Sequence, residues 1–205
     1  MNQLDSQRIN SRAPYQVKQS DDENFFEFFT EHDVHYSVGF MPDDILMQNE
    51  AYHLIIVNVD NRPSPSDRKV KNTVLAIVAE FFEQNNTTLL YICDTGDGKQ
   101  RLRSRLFEQW FAAYKQKALY TSVTSSVVDE DGIMNYATII LRNDNPRLVE
   151  TISEFTTTVS LLNQKPSYFQ IAYPQPREPT PNPSLKGGEK EPTPDPSLKG
   201  GEVER

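Results

Sequence analysis

The sequence predicts an α+β fold. It should hold a single mixed β-sheet with an antiparallel N-terminal meander, one parallel strand–helix–strand crossover, and helices packed on the sheet. Three observations carry that prediction. β-rich runs separated by acidic turns occupy residues 15–41, the pattern of consecutive short strands. An apolar strand, a segment of helical periodicity and a second apolar strand follow over residues 52–93, an order that favours a right-handed crossover between parallel neighbours. Asp-Glu-Asp-Gly at 129–132 then separates two further β-rich runs and signals a hairpin.

Taken in order, Tyr15–Lys18, Asn24–Thr30 and Val34–Met41 read as strands, with Asp21-Asp22 and Glu31–Asp33 as turns. FFEFF at 25–29 would aggregate if exposed, so the flanking acids read as gatekeepers of a buried strand. Tyr52–Asp60 is apolar at 54–57 on both alternating faces, which predicts a strand covered on two sides. Asp67 is placed to cap a helix carrying Val70, Val74, Ile77, Val78 and Phe81 at helical spacing, stopped by Asn85-Asn86. Leu89–Cys93 is a short, wholly apolar strand, and a helix is expected from about Lys99 to Gln116. Tyr120–Val128 and Ile133–Arg142 form the hairpin. Asn145-Pro146 opens a last helix that should bury Val149, Ile152, Phe155 and Val159.

Composition divides the 205 residues into three parts. Hydrophobic residues are 37%, below the roughly 45–50% of a globular domain, and the deficit lies at the ends. Residues 1–13 are polar and expected to be disordered, 14–165 form the single α+β domain, and 166–205 form a disordered Pro-rich tail. That tail holds EPTPNPSLKGGEK followed at once by EPTPDPSLKGGEV, where proline blocks helix and ladder alike. Net charge is −8, of which residues 1–173 carry −7. An acidic domain has no global field for nucleic acid or anionic lipid. One cysteine, Cys93, excludes an intrachain disulfide and a cysteine-built zinc site; it reads as a small apolar strand residue. The longest apolar helical run, Val74–Phe82, is interrupted by Glu80 and too short for a bilayer. A reduced cytoplasmic compartment is expected, with no membrane partner and no cofactor.

Residues 89–111 are where such a protein would place a site. In an open sheet, ligands gather at the carboxyl ends of parallel strands beside helix N-termini. Asp94 sits at such an end, and Thr95-Gly96-Asp97-Gly98 forms a turn opening the next helix. At about 100° per residue, Leu102, Leu106, Trp110 and Tyr114 share one face with Phe107 and Phe111 beside them, while Arg101, Arg105 and Glu108 face solvent. Lys99 and Arg103 project onto the apolar side, where a charge needs a partner. Arg103 can pair with Asp94 while Asp97 caps the helix, or Lys99, Arg103 and the Gly98 turn can hold a small anion. Asp94 and Asp97 alone are too few carboxylates for a divalent metal site.

Ile92-Cys93-Asp94, Asp97-Gly98-Lys99-Gln100, Arg103, Phe107 and Trp110-Phe111 resemble the signature of an uncharacterised bacterial family, a domain of unknown function seen mainly in Bacteroidota. The resemblance extends to Tyr36-Ser37-Val38, Asp67, Val70, Thr73-Val74 and Phe81-Phe82, and it implies a small intracellular protein without assigning an activity. The element order from Tyr52 to Arg142 also resembles the second half of the GNAT acyltransferase fold. Such enzymes cradle a pyrophosphate in a Gly-rich loop; the matching positions here, Arg62–Lys69, hold no glycine. The function expected is a non-catalytic binding or regulatory module, with an unknown protein or small anionic ligand as partner. A GNAT-like acyltransferase is the alternative. A nucleic-acid surface built on Lys99, Arg101, Arg103 and Arg105 is opposed by the acidity of the remainder.

Overall fold

A computed structural model describes residues 1–63, 65–93, 98–128 and 132–164. The Pro-rich repeats and the hairpin residues Asp129–Asp131 lie outside the described residues. The strands are β1 (Lys18–Gln19), β2 (Phe25–Phe29), β3 (His35–Asp43), β4 (Ala51–Asn58), β5 (Thr88–Cys93), β6 (Tyr120–Val128) and β7 (Met134–Arg142). They form one mixed seven-stranded sheet in the order β1-β2-β3-β4-β5-β7-β6. The first four make the antiparallel meander, β4 and β5 are parallel, and β7 inserts antiparallel between β5 and β6. This is the α+β architecture expected.

Strand alternation splits the core between two faces. Phe26, Phe28, Val38, Phe40, Leu54, Leu89 and Cys93 pack on the first, under α1 (Ser6–Asn10), α2 (Arg68–Gln84) and α3 (Gln100–Ala112). Leu90, Ala137, Ile139 and Leu141 pack on the second, against Phe155 and Val159 of α4 (Leu148–Gln164). Helix α2 crosses between β4 and β5 and buries Val70, Val74, Ile77 and Phe81, the stripe read from spacing. The Phe81 ring stacks on Phe40 at 4.6 Å between centroids. Asn85 ends the helix, donating from Nδ2 to the Phe81 carbonyl oxygen at 3.0 Å.

Several expectations are corrected. Residues 1–13 carry helix α1 in place of disorder: Asp5 accepts from the amides of Gln7 and Arg8, and Leu4 and Ile9 are buried. A long-range ion pair supplies what the short helix lacks. Glu80 of α2 is fully buried, and the Arg12 guanidinium reaches it at 2.6 Å with Arg8 at 3.4 Å. Strand β1 begins only at Lys18, because Tyr15 and Val17 are drawn into the core. The β2 run is buried on one side only; Phe26 and Phe28 point inward and Phe29 is exposed. Strand β4 is covered along one side only; on the other, Ala51 is buried in the cluster of Phe155 and Val159 while Val57 is 43% exposed. In α4, Val149 is exposed and Thr151 takes its inward place beside Phe155. No described helix is long and apolar enough to cross a membrane.

Candidate functional site

Strand β5 leads toward α3 as expected, and Gly98 and Lys99 are the described residues between them. Asp94 and Asp97 lie outside the described residues. Gly98 has φ +70° with open space around it, a conformation in which a Cβ would be strained. Lys99, and not Asp97, occupies the N-cap position, and its own side chain makes no cap bond. The Arg103 amide donates to the Lys99 carbonyl oxygen at 3.0 Å, closing the first turn. Lys99 is exposed, which corrects its expected inward placement, whereas Arg103 is half-buried as expected.

The inward stripe of α3 lies about one residue away from the one its spacing predicts. Leu102 is 64% and Leu106 43% exposed, while Arg103, Ser104, Phe107, Phe111 and Tyr114 turn inward. Helix α3 carries two apolar stripes, and only the position of the sheet chooses between them. The chosen stripe is loosely seated: Ser104 is the sole buried residue among the described residues of α3.

What the loose seating leaves is a groove. Strands β4 and β5 are in register at three pairs only, Ala51↔Thr88, Tyr52↔Leu89 and His53↔Leu90. Beyond them β4 follows β3 to Asn58 and β5 follows β7 to Cys93, so the parallel pair opens like a wedge. Above that opening, between α2 and α3, lies an apolar groove of about 600 Å³, its open mouth included. Its floor is Leu54, Leu89, Tyr91 and Ile140, one wall is Val74, Val78 and Phe82 of α2, and the other is Phe107, Trp110, Phe111 and Tyr114. The aromatic wall is ordered by contact: Phe107 meets Tyr91 at 4.9 Å and Trp110 edge-on at 5.3 Å. Burial pushes the Tyr91 hydroxyl up to about 12 against the lowering effect of its Thr138 hydrogen bond. Tyr120, at the groove's end, is pushed up to about 12 by burial and its neighbour Tyr114. Both phenols are therefore neutral near pH 7.

The other helix N-terminus on this face is closed by the protein itself. Asp67 accepts from the Lys69 amide at 2.7 Å and from the Tyr15 hydroxyl, and Lys69 pairs with Glu31. Burial pushes the Asp67 carboxyl up, but these hydrogen bonds outweigh it and hold the group below its ordinary value. A carboxylate thus occupies the place where an anion would meet the α2 amides.

Sequence reasoning set Arg103 on the inward side of α3, where it lies, but missed the groove. A signal was present: Phe107, Phe111 and Tyr114 recur at helical spacing opposite Val74, Val78 and Phe82. Residues 66–157 match the model of a family of unknown function, DUF6169. This segment, running from the start of α2 into α4, is therefore a domain of unknown function. No curated protein matches the chain.

Proposed function

We propose that the protein is a non-catalytic binding module, and that its ligand is an elongated apolar chain with an anionic end. The observation that carries this reading is the groove between α2 and α3, whose lining is hydrocarbon and aromatic. Apolar surface entering it gains roughly 25 cal/mol per Å². Arg103 lies one helical turn before Phe107 on the same inward stripe, and Lys99 one turn earlier. A carboxylate at that end would lie near the half-buried Arg103 and the first amides of α3, with the exposed Lys99 toward solvent. The two phenols, neutral at working pH, suit recognition better than proton abstraction. The compartment is a reducing cytoplasm, where the buried thiol of Cys93 stays reduced.

A second reading, an acyltransferase with the GNAT order of elements, is favoured by the succession β4-α2-β5-α3-β6-β7. Against it stands the N-terminus of α2, filled by Asp67 where such enzymes hold a pyrophosphate. One titration separates the two. Trp110 is the chain's only tryptophan and lines the groove, so its fluorescence reports entry. Dodecanoate is expected to shift Trp110 emission and raise the unfolding temperature, and acetyl-CoA to do neither. Saturable acetyl-CoA binding would establish the second reading, and no response to dodecanoate would refute the first.

A further inference from the structure

The two edges of the sheet are built differently. Edge β1 is two residues long, which blunts it. Edge β6 is nine residues long, YTSVTSSVV, with no proline, glycine or charge to discourage a further strand.

The phase of that edge is set by its bonds. The Val128 amide donates to Asn163 Oδ1 at 3.0 Å, and Asn163 Nδ2 donates to the Ser126 carbonyl oxygen at 3.0 Å. A residue of a parallel strand opposite Val127 would make that same pair of bonds. The Asn163 side chain therefore imitates a neighbouring strand. Even-numbered residues of β6 face outward, and the bond from the Asn143 amide to the Leu119 carbonyl oxygen at 2.9 Å keeps the odd-numbered ones toward β7. Further along, the outward N–H groups of Ser122 and Thr124 donate no hydrogen bond, and their C=O groups accept none, among the described residues.

We propose that the outer edge of β6 is an interface at which two copies of this chain pair antiparallel, centred on Thr124. Charge selects the occupant. Two molecules of net charge −8 repel over most of their surface, and β6 is an uncharged strip. Lys115 and Lys117 precede it in sequence and three acids follow it at 129–131, so antiparallel apposition favours unlike charges and parallel apposition like ones. Identical strands meeting about a two-fold axis also close the assembly, leaving no open end to propagate. In this register Ser122 of one copy stands opposite Ser126 of the other, and the incoming strand displaces the Asn163 amide that imitated it.

The test is sedimentation velocity on the full chain from about 1 to about 100 µM, a range that brackets weak self-association. The expected result is a concentration-dependent species of twice 23.5 kDa. Ser122→Pro removes an outward N–H without a bond to β7 and should abolish that species. Ser126→Lys, which sets a cation on the edge, should do the same. Asn163→Ala removes the competing amide from both copies and should tighten dimerisation about 25-fold, the worth of about one net hydrogen bond per chain. The proposal is overturned if wild type and Asn163→Ala both stay monomeric throughout. It is equally overturned if Ser122→Pro and Ser126→Lys dimerise as wild type does.

Discussion

Helices α2 and α3 follow adjacent strands and lie on the same face of the sheet, yet they are held in opposite ways. Helix α2 buries eight residues, including the fully buried Glu80, and its N-terminus is closed by Asp67. Helix α3 buries Ser104 alone among its described residues, stands off over a wedge in the sheet, and starts at a lysine. The first is a structural beam; the second is one wall of a groove. Burial of apolar side chains and pairing of buried charge stabilise the fold at α2, whereas α3 leaves its aromatic surface half-buried along a groove.

The largest test of that contrast is Phe81→Ala, expected to cost about 4 kcal/mol in urea unfolding, as for a buried aromatic ring. Phe107→Ala should cost less than half as much, and equal losses would erase the distinction. Next, Arg8→Ala with Arg12→Ala strands a buried carboxylate and should cost about 3 kcal/mol. Adding Glu80→Gln should restore a good part of it, since the uncompensated charge is then gone.

Asp67→Ala should cost about 1 kcal/mol through the lost cap. Its pH signature has a definite sign. The folded carboxyl is held below its ordinary value, so its contribution is present above the unfolded value of about 3.9 and fades as pH falls through the lower folded one. Wild type and Asp67→Ala should therefore converge in stability toward low pH. The same substitution should leave dodecanoate binding, read by calorimetry, unchanged, because the groove lies elsewhere. Gly98→Ala should cost about 1 kcal/mol from its positive φ. Trp110→Ala gives the smallest stability effect, about 1 kcal/mol or less for a half-exposed ring, while weakening dodecanoate binding measured by calorimetry. A loss as large as that of Phe81→Ala, or unchanged binding, would contradict the groove.

Much of the frame was legible in the sequence, and particular residues show why. Val70, Val74, Ile77 and Phe81 repeat on a single helical stripe, so only one face of α2 can be inward. Apolar residues fill β5 without a break, and a strand buried on both faces follows. The hairpin arms flank an acidic Gly-containing turn. In α3, by contrast, Leu102 and Leu106 compete with Phe107 and Phe111, and periodicity cannot choose between two stripes. The N-terminal helix escaped notice because five residues cannot hold a helix alone; its support is Glu80, 68 residues from Arg12 in the chain.

From its own residues the chain determined the mixed sheet, the crossover through α2 and the passage from β5 to α3, because those follow from local periodicity and chain order. The groove, the loose seating of α3 and the place of β6 at the sheet edge were decided only in three dimensions. Each depends on how elements are held by distant partners: β4 by β3, β5 by β7, and β6 by β7 alone among the described strands.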